Sequence, residues 1–310
     1  MKTLYKETQV CVQKMDMDSL CMLFGKSRQA YYQYKKRDVK RLDDNVEIIN
    51  AVHSIRSEAP HTGCYKLYVM LCDIFSRKRM PGRDRFFNLL RRKHLMLQRH
   101  ASHSTTNSNH RYHKYKNLIK GFEPTSANQL WVADITYIPL ADGVCYLHLV
   151  TDAYSHKIVG WCLASGLHAI YTEAALTMAI KATGKALLSN LIHHSDRGSQ
   201  YCCDAYVKVL KDHDISISMT EDYKPTDNAI AERVNGILKT EWLYCKQIPQ
   251  TIEEARIEIQ KNIEFYNTRR PHMSIGMRTP EQAHLLKGKL NKMWKKKIYH
   301  KYNEEKENYV

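Results

Sequence analysis

The chain has 310 residues and a formal net charge of +16, with 48 Lys and Arg against 32 Asp and Glu. The basic excess lies at the two ends: residues 1–120 carry +15 and residues 286–310 carry +5, whereas residues 121–285 carry −4. This distribution favours nucleic acid as a partner, with a solvated basic surface as the open alternative, and no apolar run reaches the roughly 20 residues of a bilayer span.

Residues 1–44 have the pattern of an N-terminal helix-turn-helix. An apolar run ends at Gly25, and the hydroxyl of Ser27 is placed to accept from the exposed backbone N–H groups of a following helix. Arg28 and Gln29 then fall at the start of the second helix, where base-reading residues usually lie. An ordinary helical hairpin is the alternative, so DNA contact by these two residues is a hypothesis.

Residues 45–99 predict a second helical DNA-binding module. Apolar residues recur at helical spacing from Val46 to Ile55, and Gly63 marks a turn. Further along, Arg91 and Arg92 lie beside an apolar stripe, as in a helix that packs on one side and faces phosphate on the other. A solvated charged face is the alternative. Residues 100–122 have the Ser, Thr, Asn and His content of a linker.

Residues 123–285 change to an α/β pattern. Alternation with period two predicts strands, and longer helical spacing separates the later ones. In chain order the pattern predicts strands at 130–140, 145–153 and 157–164, a helix at 173–183, a strand at 191–194, a helix at 205–212, a strand at 215–219 and a helix from 228. This is the order of a ribonuclease H-like core, a mixed five-stranded sheet flanked by helices, preceded here by all-α helix-turn-helix modules.

Three acids lie where that fold needs them. Asp134 is in the first strand, Asp196 follows the fourth strand, and Glu232 is on the later helix, with 35 residues between the last two. Hard cations such as Mg²⁺ prefer carboxylate ligands, and clustered acids are costly without a cation. Each acid alone is more often a helix cap or a salt-bridge partner, so the metal-site hypothesis depends on all three together.

Residues near Glu232 extend the predicted site. Asp227 is placed to cap the helix. Asn228, Glu232, Asn235 and Lys239 then share one helical face. Lys239 lies two turns beyond Glu232 and can meet a phosphate near the metal ions. Asn228, on the same face, is a further candidate for DNA contact. Pro225 is expected to stiffen the preceding loop.

The chain resembles a known family in several motifs. Residues 130–285 resemble the integrase core of the DDE transposases, specifically the orfB-type transposases of bacterial insertion sequences and their retroviral integrase relatives. The matching motifs lie at 131–137, 152–155, 194–198, 228–232, 266–272 and 279–281, with Lys239 seven residues after the glutamate. The front of the chain, with residues 25–28, resembles the helix-turn-helix modules of these transposases.

The resemblance implies a mechanism and partners. Asp134, Asp196 and Glu232 would be catalytic residues that bind two Mg²⁺ ions, with Mn²⁺ as a substitute, for nicking of an element end and attack of the freed 3′-hydroxyl on a second phosphodiester. The implied partners are DNA, as element ends and target, further copies of the chain on DNA, and an upstream-frame helix-turn-helix protein. A catalytically silent DNA-binding regulator and a ribonuclease H-like nuclease without strand transfer remain the alternatives.

The remaining expectations concern basic residues and location. Arg269 and Arg270, which follow the helix predicted from Ile252, are candidates for DNA contact, and residues 286–310 predict a basic tail with non-specific DNA affinity. The nine cysteines are scattered without a Cys-x-x-Cys pair. They therefore favour a reduced, cytosolic protein without structural zinc. The resemblance to transposases of bacterial insertion sequences implies a bacterial protein that is associated with the nucleoid.

Overall fold

The first part of the chain is helical. In the computed structural model, residues 17–97, 113–184, 187–221, 228–245 and 247–293 are described. Within these residues, four helices precede the first strand: α1 Met17–Leu23, α2 Arg28–Glu58, α3 Cys64–Arg79 and α4 Arg83–Arg92. None of the helices within the described residues is both long and apolar enough to cross a membrane.

The turn between α1 and α2 has the chemistry that the sequence predicts. Gly25 adopts φ +59°, a left-handed conformation that glycine reaches without strain. The hydroxyl of Ser27 accepts a hydrogen bond from the backbone N–H of Ala30 (3.1 Å), so Ser27 is the N-cap of α2. Helix α2 then continues for 31 residues because no Gly or Pro interrupts it. The module boundary predicted between residues 44 and 45 falls inside this helix.

The second part of the chain is a mixed five-stranded sheet. Its strands are β1 Leu130–Leu140, β2 Gly143–Asp152, β3 Ile158–Ala164, β4 Ile192–Ser195 and β5 Ser216–Met219. Their order in the sheet is β3-β2-β1-β4-β5. The first three are mutually antiparallel, whereas β4 runs parallel to β1 and to β5. The strand prediction and the ribonuclease H-like fold class are confirmed.

Helices cover both faces of this sheet. They are α5 Ala169–Thr183, α6 Ser199–Cys202, α7 Asp204–Asp212, α8 Ala229–Glu241, α9 Ile252–Thr268 and α10 Pro280–His284. Trp131 and Val150 pack with Leu176 of α5 on one face. At Gly160 of β3, an added Cβ would lie 2.1 Å from the carbonyl oxygen of Ala175, so α5 approaches the sheet where only glycine fits.

The other face of the sheet shares its core with the N-terminal helices. Buried residues of α2, α3 and α4 belong to one continuous apolar cluster with buried residues of β1, β2, α8 and α9. At this junction Trp242 is fully buried, and its indole N–H donates to the carbonyl of Glu58 at the end of α2 (3.0 Å). The second helical module is therefore packed onto the α/β core.

Residues on either side of the α/β core, assigned to the predicted linker and tail, form contacts with the core. Leu118, in the predicted linker, donates its backbone N–H to the hydroxyl of Ser218 in β5 (2.9 Å). Lys287, in the predicted tail, forms an isolated β-bridge with Ser126. Residues 98–112 and 294–310 lie outside the described residues, so the linker and tail predictions are addressed only at their core-proximal ends.

Two helices of the α/β core begin with a threonine cap. Thr251 caps α9 by accepting from the backbone N–H of Glu254 (3.2 Å). The carboxylate of Glu254 accepts from the N–H of Gln250, one residue before the N-cap N–H that a capping box uses. Thr279 forms a capping box with Gln282 at the start of α10.

Candidate active site

Asp134 lies near the middle of β1, where its carboxylate is half-buried. One oxygen, Oδ1, accepts from the backbone N–H of Ile135 (2.9 Å). The other, Oδ2, accepts from the side-chain amide of Asn235 in α8 (2.7 Å). A strand and a helix from the facing layer together fix the orientation of this carboxylate.

Asp196 follows β4 directly. Because β4 is parallel to β1, with His194 opposite Val132, the chain leaves β4 next to the part of β1 that carries Asp134. The Oδ1 atom of Asp196 accepts from the backbone N–H of Gly198 (2.9 Å). A Cβ at Gly198 would lie 3.0 Å from that same oxygen, so glycine lets the backbone approach the carboxylate.

The two aspartates repel each other electrostatically. Burial raises the pKa of Asp134 to about 7, and the charge of Asp196 is the next largest cause. The hydrogen bonds from Asn235 and Ile135 act in the opposite direction, and the charge of Glu232 adds a smaller increase. A cation between these carboxylates would relieve the repulsion, which is the electrostatic condition of a metal site.

Glu232 lies in the first turn of α8 and is exposed. Among the described residues, no three His, Cys, Asp or Glu side chains lie close enough together to hold a metal ion. The structure thus brings Asp134 and Asp196 together, with Glu232 near enough to act on the pKa of Asp134 but outside a closed ligand set. Residues 222–227, with Pro225 and Asp227, lie outside the described residues.

Two asparagines fasten α8 to the strand that carries Asp134. Asn228 is the N-cap residue of α8, but its side chain makes no capping bond and its amide donates instead to the carbonyl of Ala133 (3.1 Å). Asn228 and Asn235 are 6% and 5% exposed. Their side-chain oxygens are buried, and no described residue forms a hydrogen bond with either of them. The structure therefore gives Asn228 an internal contact in place of the DNA contact that the sequence suggested.

Lys239 lies at the edge of this site. Its amino nitrogen is 4.1 Å from the ring centroid of Tyr137 in β1, a cation–π contact. Burial lowers the pKa of Lys239, and the nearby negative charge of Asp134 opposes that shift. The predicted placement of Lys239 near the acids is therefore met, while its contact with a phosphate stays a prediction.

The residues of the N-terminal helices that are predicted to contact DNA have exposed side chains. Arg28, Gln29, Arg91 and Arg92 are exposed on the N-terminal helices. The guanidinium of Arg28 pairs with Asp18 (3.2 Å).

Arg269 and Arg270 differ in the exposure of their side chains. Arg269 is partly exposed and pairs with Glu58. Arg270 is 1% exposed and donates to both carboxylate oxygens of Glu241 (2.7 and 2.6 Å). A side chain buried in this way is not placed to reach DNA, and its position is structural.

Of the buried groups around Arg270, His272 lies in one of the matching sequence motifs, whereas Glu241 and Lys66 were not singled out in the sequence. Glu241 also accepts from the amino group of Lys66 in α3 (2.6 Å), and Arg270 donates to Nε2 of His272 (2.7 Å). The two cations lower the pKa of the Glu241 carboxyl against the effect of burial. No local pattern predicts this cluster, because it joins residues 175 positions apart.

Comparison with known proteins identifies the family. Residues 124–225 match one protein family that is described as Integrase core domain. Residues 213–280 match a second family with the same description. The 31 kDa protein of insertion element IS600 from Shigella sonnei is 35% identical over 269 residues, 84% of this chain and 96% of that protein. The transposase for insertion sequence element IS904 from Lactococcus lactis subsp. lactis is 36% identical over 168 residues, 53% of this chain and 65% of its own length.

Among solved structures, the HTLV-2 integrase catalytic core domain in complex with magnesium is similar with a TM-score of 0.40 and 20% identity, over 51% of this chain and 97% of that chain. The family follows from the similarity in sequence to the insertion-element proteins. The chain belongs to the insertion-element transposases that carry an integrase core domain. The resemblance recognised in the sequence motifs is confirmed.

Proposed function

We propose that this transposase nicks DNA at the ends of its insertion element and joins the freed 3′-hydroxyl to target DNA, with Asp134, Asp196 and Glu232 as catalytic metal ligands. The observation that carries the proposal is the approach of Asp134 in β1 and Asp196 directly after the neighbouring parallel strand β4, where burial and then the charge of Asp196 raise the pKa of Asp134 to about 7. Proteins seldom bring two partly buried acids together unless a cation neutralises them.

The residues present fit hard divalent cations. Asp134 and Asp196 offer only oxygen donors, as Mg²⁺ and Mn²⁺ prefer, and Asn235 orients one of these carboxylates from behind. Glu232 is on the helix that Asn228 and Asn235 attach to β1, and movement of its exposed side chain toward Asp134 would complete the ligand set. When two divalent cations are bound, they supply nucleophile activation and stabilisation of the leaving oxygen.

The protein's own residues have further tasks in this proposal. Lys239 holds a DNA phosphate near the carboxylates, since its amino group contacts Tyr137 of the strand that carries Asp134 and is influenced by the charge of Asp134. Exposed polar and basic residues of the N-terminal helices bind the element ends, with further copies of the chain assembled on the DNA; among these residues are Arg28, Gln29, Arg91 and Arg92. The close packing of these helices on the α/β core means that DNA bound by one part is positioned for the other.

The test is cleavage and joining of a labelled duplex that carries the element ends, with Mg²⁺ or Mn²⁺. We expect Asp134→Asn and Glu232→Gln to abolish nicking. Glu253→Gln, which changes an exposed glutamate in the first turn of α9, is the matched control and should leave nicking unchanged. Nicking by Glu232→Gln at the wild-type rate would show that the metal-site assignment is wrong.

A second measurement separates binding from catalysis. Mg²⁺ or Mn²⁺ should raise the melting temperature of the wild-type protein, and Asp134→Asn should abolish this shift. Transfer of a labelled 3′-end to a second DNA distinguishes a transposase from a nuclease of the same fold, because the nuclease would nick without joining.

A further inference from the structure

Residues 113–120, at the end of the predicted linker, form a strap along the outer edge of β5. The backbone N–H of Met219 donates to the carbonyl of Lys116 (3.3 Å). The backbone N–H of Leu118 donates to the hydroxyl of Ser218 (2.9 Å). These contacts fasten the strap to the carboxyl end of the last strand of the sheet.

The strap alternates between inward and outward residues. Tyr115, Asn117 and Ile119 are partly buried, whereas the residues between them are exposed, as in an extended chain. Tyr115 and Ile119 pack against two separate apolar clusters of the core. The N–H of Asn117 donates to the carboxylate of Glu221 (3.0 Å), which follows β5. Packing therefore fixes an outward row that consists of Lys114, Lys116, Leu118 and Lys120.

This outward row lies near Asp196. Met219 is paired with Ser195 in the parallel sheet, and the N–H of Thr220 donates to the carbonyl of Ser195 (3.0 Å). Neighbouring strands are about 4.8 Å apart, so the backbone of Lys116 lies roughly 10 Å from that of Ser195. Because Asp196 is the next residue, the strap lines the rim of the active site at the carboxyl ends of β4 and β5.

The lysines of the strap have different surroundings. Lys120 pairs with Glu221, the residue that also accepts from the backbone of the strap. Lys114 and Lys116 are exposed and two residues apart, which is about 7 Å along an extended chain. This spacing is comparable with the distance between neighbouring phosphates of one DNA strand. Two cations arranged in this way suit the backbone of a nucleic acid.

We propose that the strap binds the backbone of one DNA strand at the rim of the active site, with Lys114 and Lys116 on neighbouring phosphates. At 3.4 Å for each nucleotide, the roughly 10 Å to the chain beside Asp196 places these phosphates about three nucleotides from the cleaved bond. Contacts of this kind position a strand and carry no sequence preference. The inference rests on the proposed cleavage of DNA and adds which phosphates the protein holds.

The test is binding of a duplex that carries the element ends to the full chain in EDTA, where cleavage does not interfere. Replacing Lys114 and Lys116 together by Ala should reduce the salt slope of binding by about 2. Replacing Lys208 and Lys211 by Ala is the matched control. Both are exposed on α7, which leads into the amino end of β5, opposite the end that Asp196 follows. This control should keep the wild-type slope.

Neutral methylphosphonates in the DNA locate the contacts. Single substitutions about three nucleotides from the cleavage site should weaken binding by wild type and by the α7 control. They should not weaken binding by the strap variant further, because its two contacts are already lost. Replacing Lys114 and Lys116 by Arg keeps both charges and should preserve the wild-type pattern. The urea midpoint should stay unchanged, since both side chains are exposed.

Two results would overturn the proposal. An equal fall in salt slope for the strap variant and the α7 control would show general attraction to DNA. An unchanged slope, or full methylphosphonate sensitivity in the strap variant, would leave these lysines only a role in protecting the sheet edge.

These outcomes are separate from a failure of the proposed function, because binding in EDTA does not require the metal ions. If Asp134→Asn nicks as wild type does, the catalytic assignment fails whatever the strap does. If Asp134→Asn is inactive and the strap variant binds as the α7 control does, only the strap proposal fails.

Discussion

The buried pair of Arg270 and Glu241 gives the sharpest prediction, because the sequence suggested a different role for Arg270. Replacing Arg270 by Met removes two charge-assisted hydrogen bonds of 2.7 and 2.6 Å and leaves the Glu241 carboxylate buried with Lys66 as its remaining cation. Loss of one partner of a buried ion pair costs about 3–5 kcal/mol. The whole free energy of unfolding of a domain is about 5–15 kcal/mol.

The adjacent arginine supplies the control. Arg269 pairs with Glu58 at the surface, with roughly half of each side chain exposed, so Arg269→Met should cost at most about 1 kcal/mol. Urea unfolding followed by tryptophan fluorescence measures both variants, since Trp242 is buried in the apolar cluster that joins α8 to the N-terminal helices. If Arg270→Met costs no more than Arg269→Met, the buried pair does not stabilise the fold and the argument is refuted.

Three further predictions follow from particular contacts. Burial lowers the pKa of His148 to about 4, so its imidazole takes up a proton near pH 6.5 in the unfolded chain but not in the folded chain. The free energy of unfolding should therefore fall by about 2 kcal/mol per such histidine between pH 7 and pH 5. His148→Gln should flatten the dependence of the urea midpoint on pH over that range. Asn235→Ala removes the amide that orients Asp134 and should slow nicking about tenfold or more, with a small change in urea midpoint; an unchanged nicking rate would exclude this orienting role. If Arg91 and Arg92 contact phosphates, replacing both by Ala should reduce the salt slope of DNA binding by about 2, measured by titration at several salt concentrations, whereas an unchanged slope would place them away from DNA.

The contribution of the N-terminal half to DNA binding should be tested by substitution of single residues, because deletion would disturb the fold. Deleting residues 1–120 would remove α2, α3 and α4 together with their share of the apolar cluster that includes α8 and α9. The deletion would therefore disturb the fold as well as DNA binding. Substitution of exposed basic residues removes charge and leaves the core intact.

The sequence alone determined the strands and the positions of the acids. Period-two alternation is a local property, so the long strands β1, β2 and β3 could be predicted from neighbouring residues. The places of Asp134, Asp196 and Glu232 followed from the order of those elements. Caps were equally local, as Ser27 and Thr251 show.

The tertiary structure decided which polar residues face inward. Arg269 and Arg270 are adjacent and chemically identical, yet one pairs at the surface and the other is enclosed by Glu241 and His272. Asn228 was read as part of a polar face, but packing of α8 against β1 buries it. Burial depends on which elements meet in space, and residues far apart in the chain set it, so no local pattern contains that information.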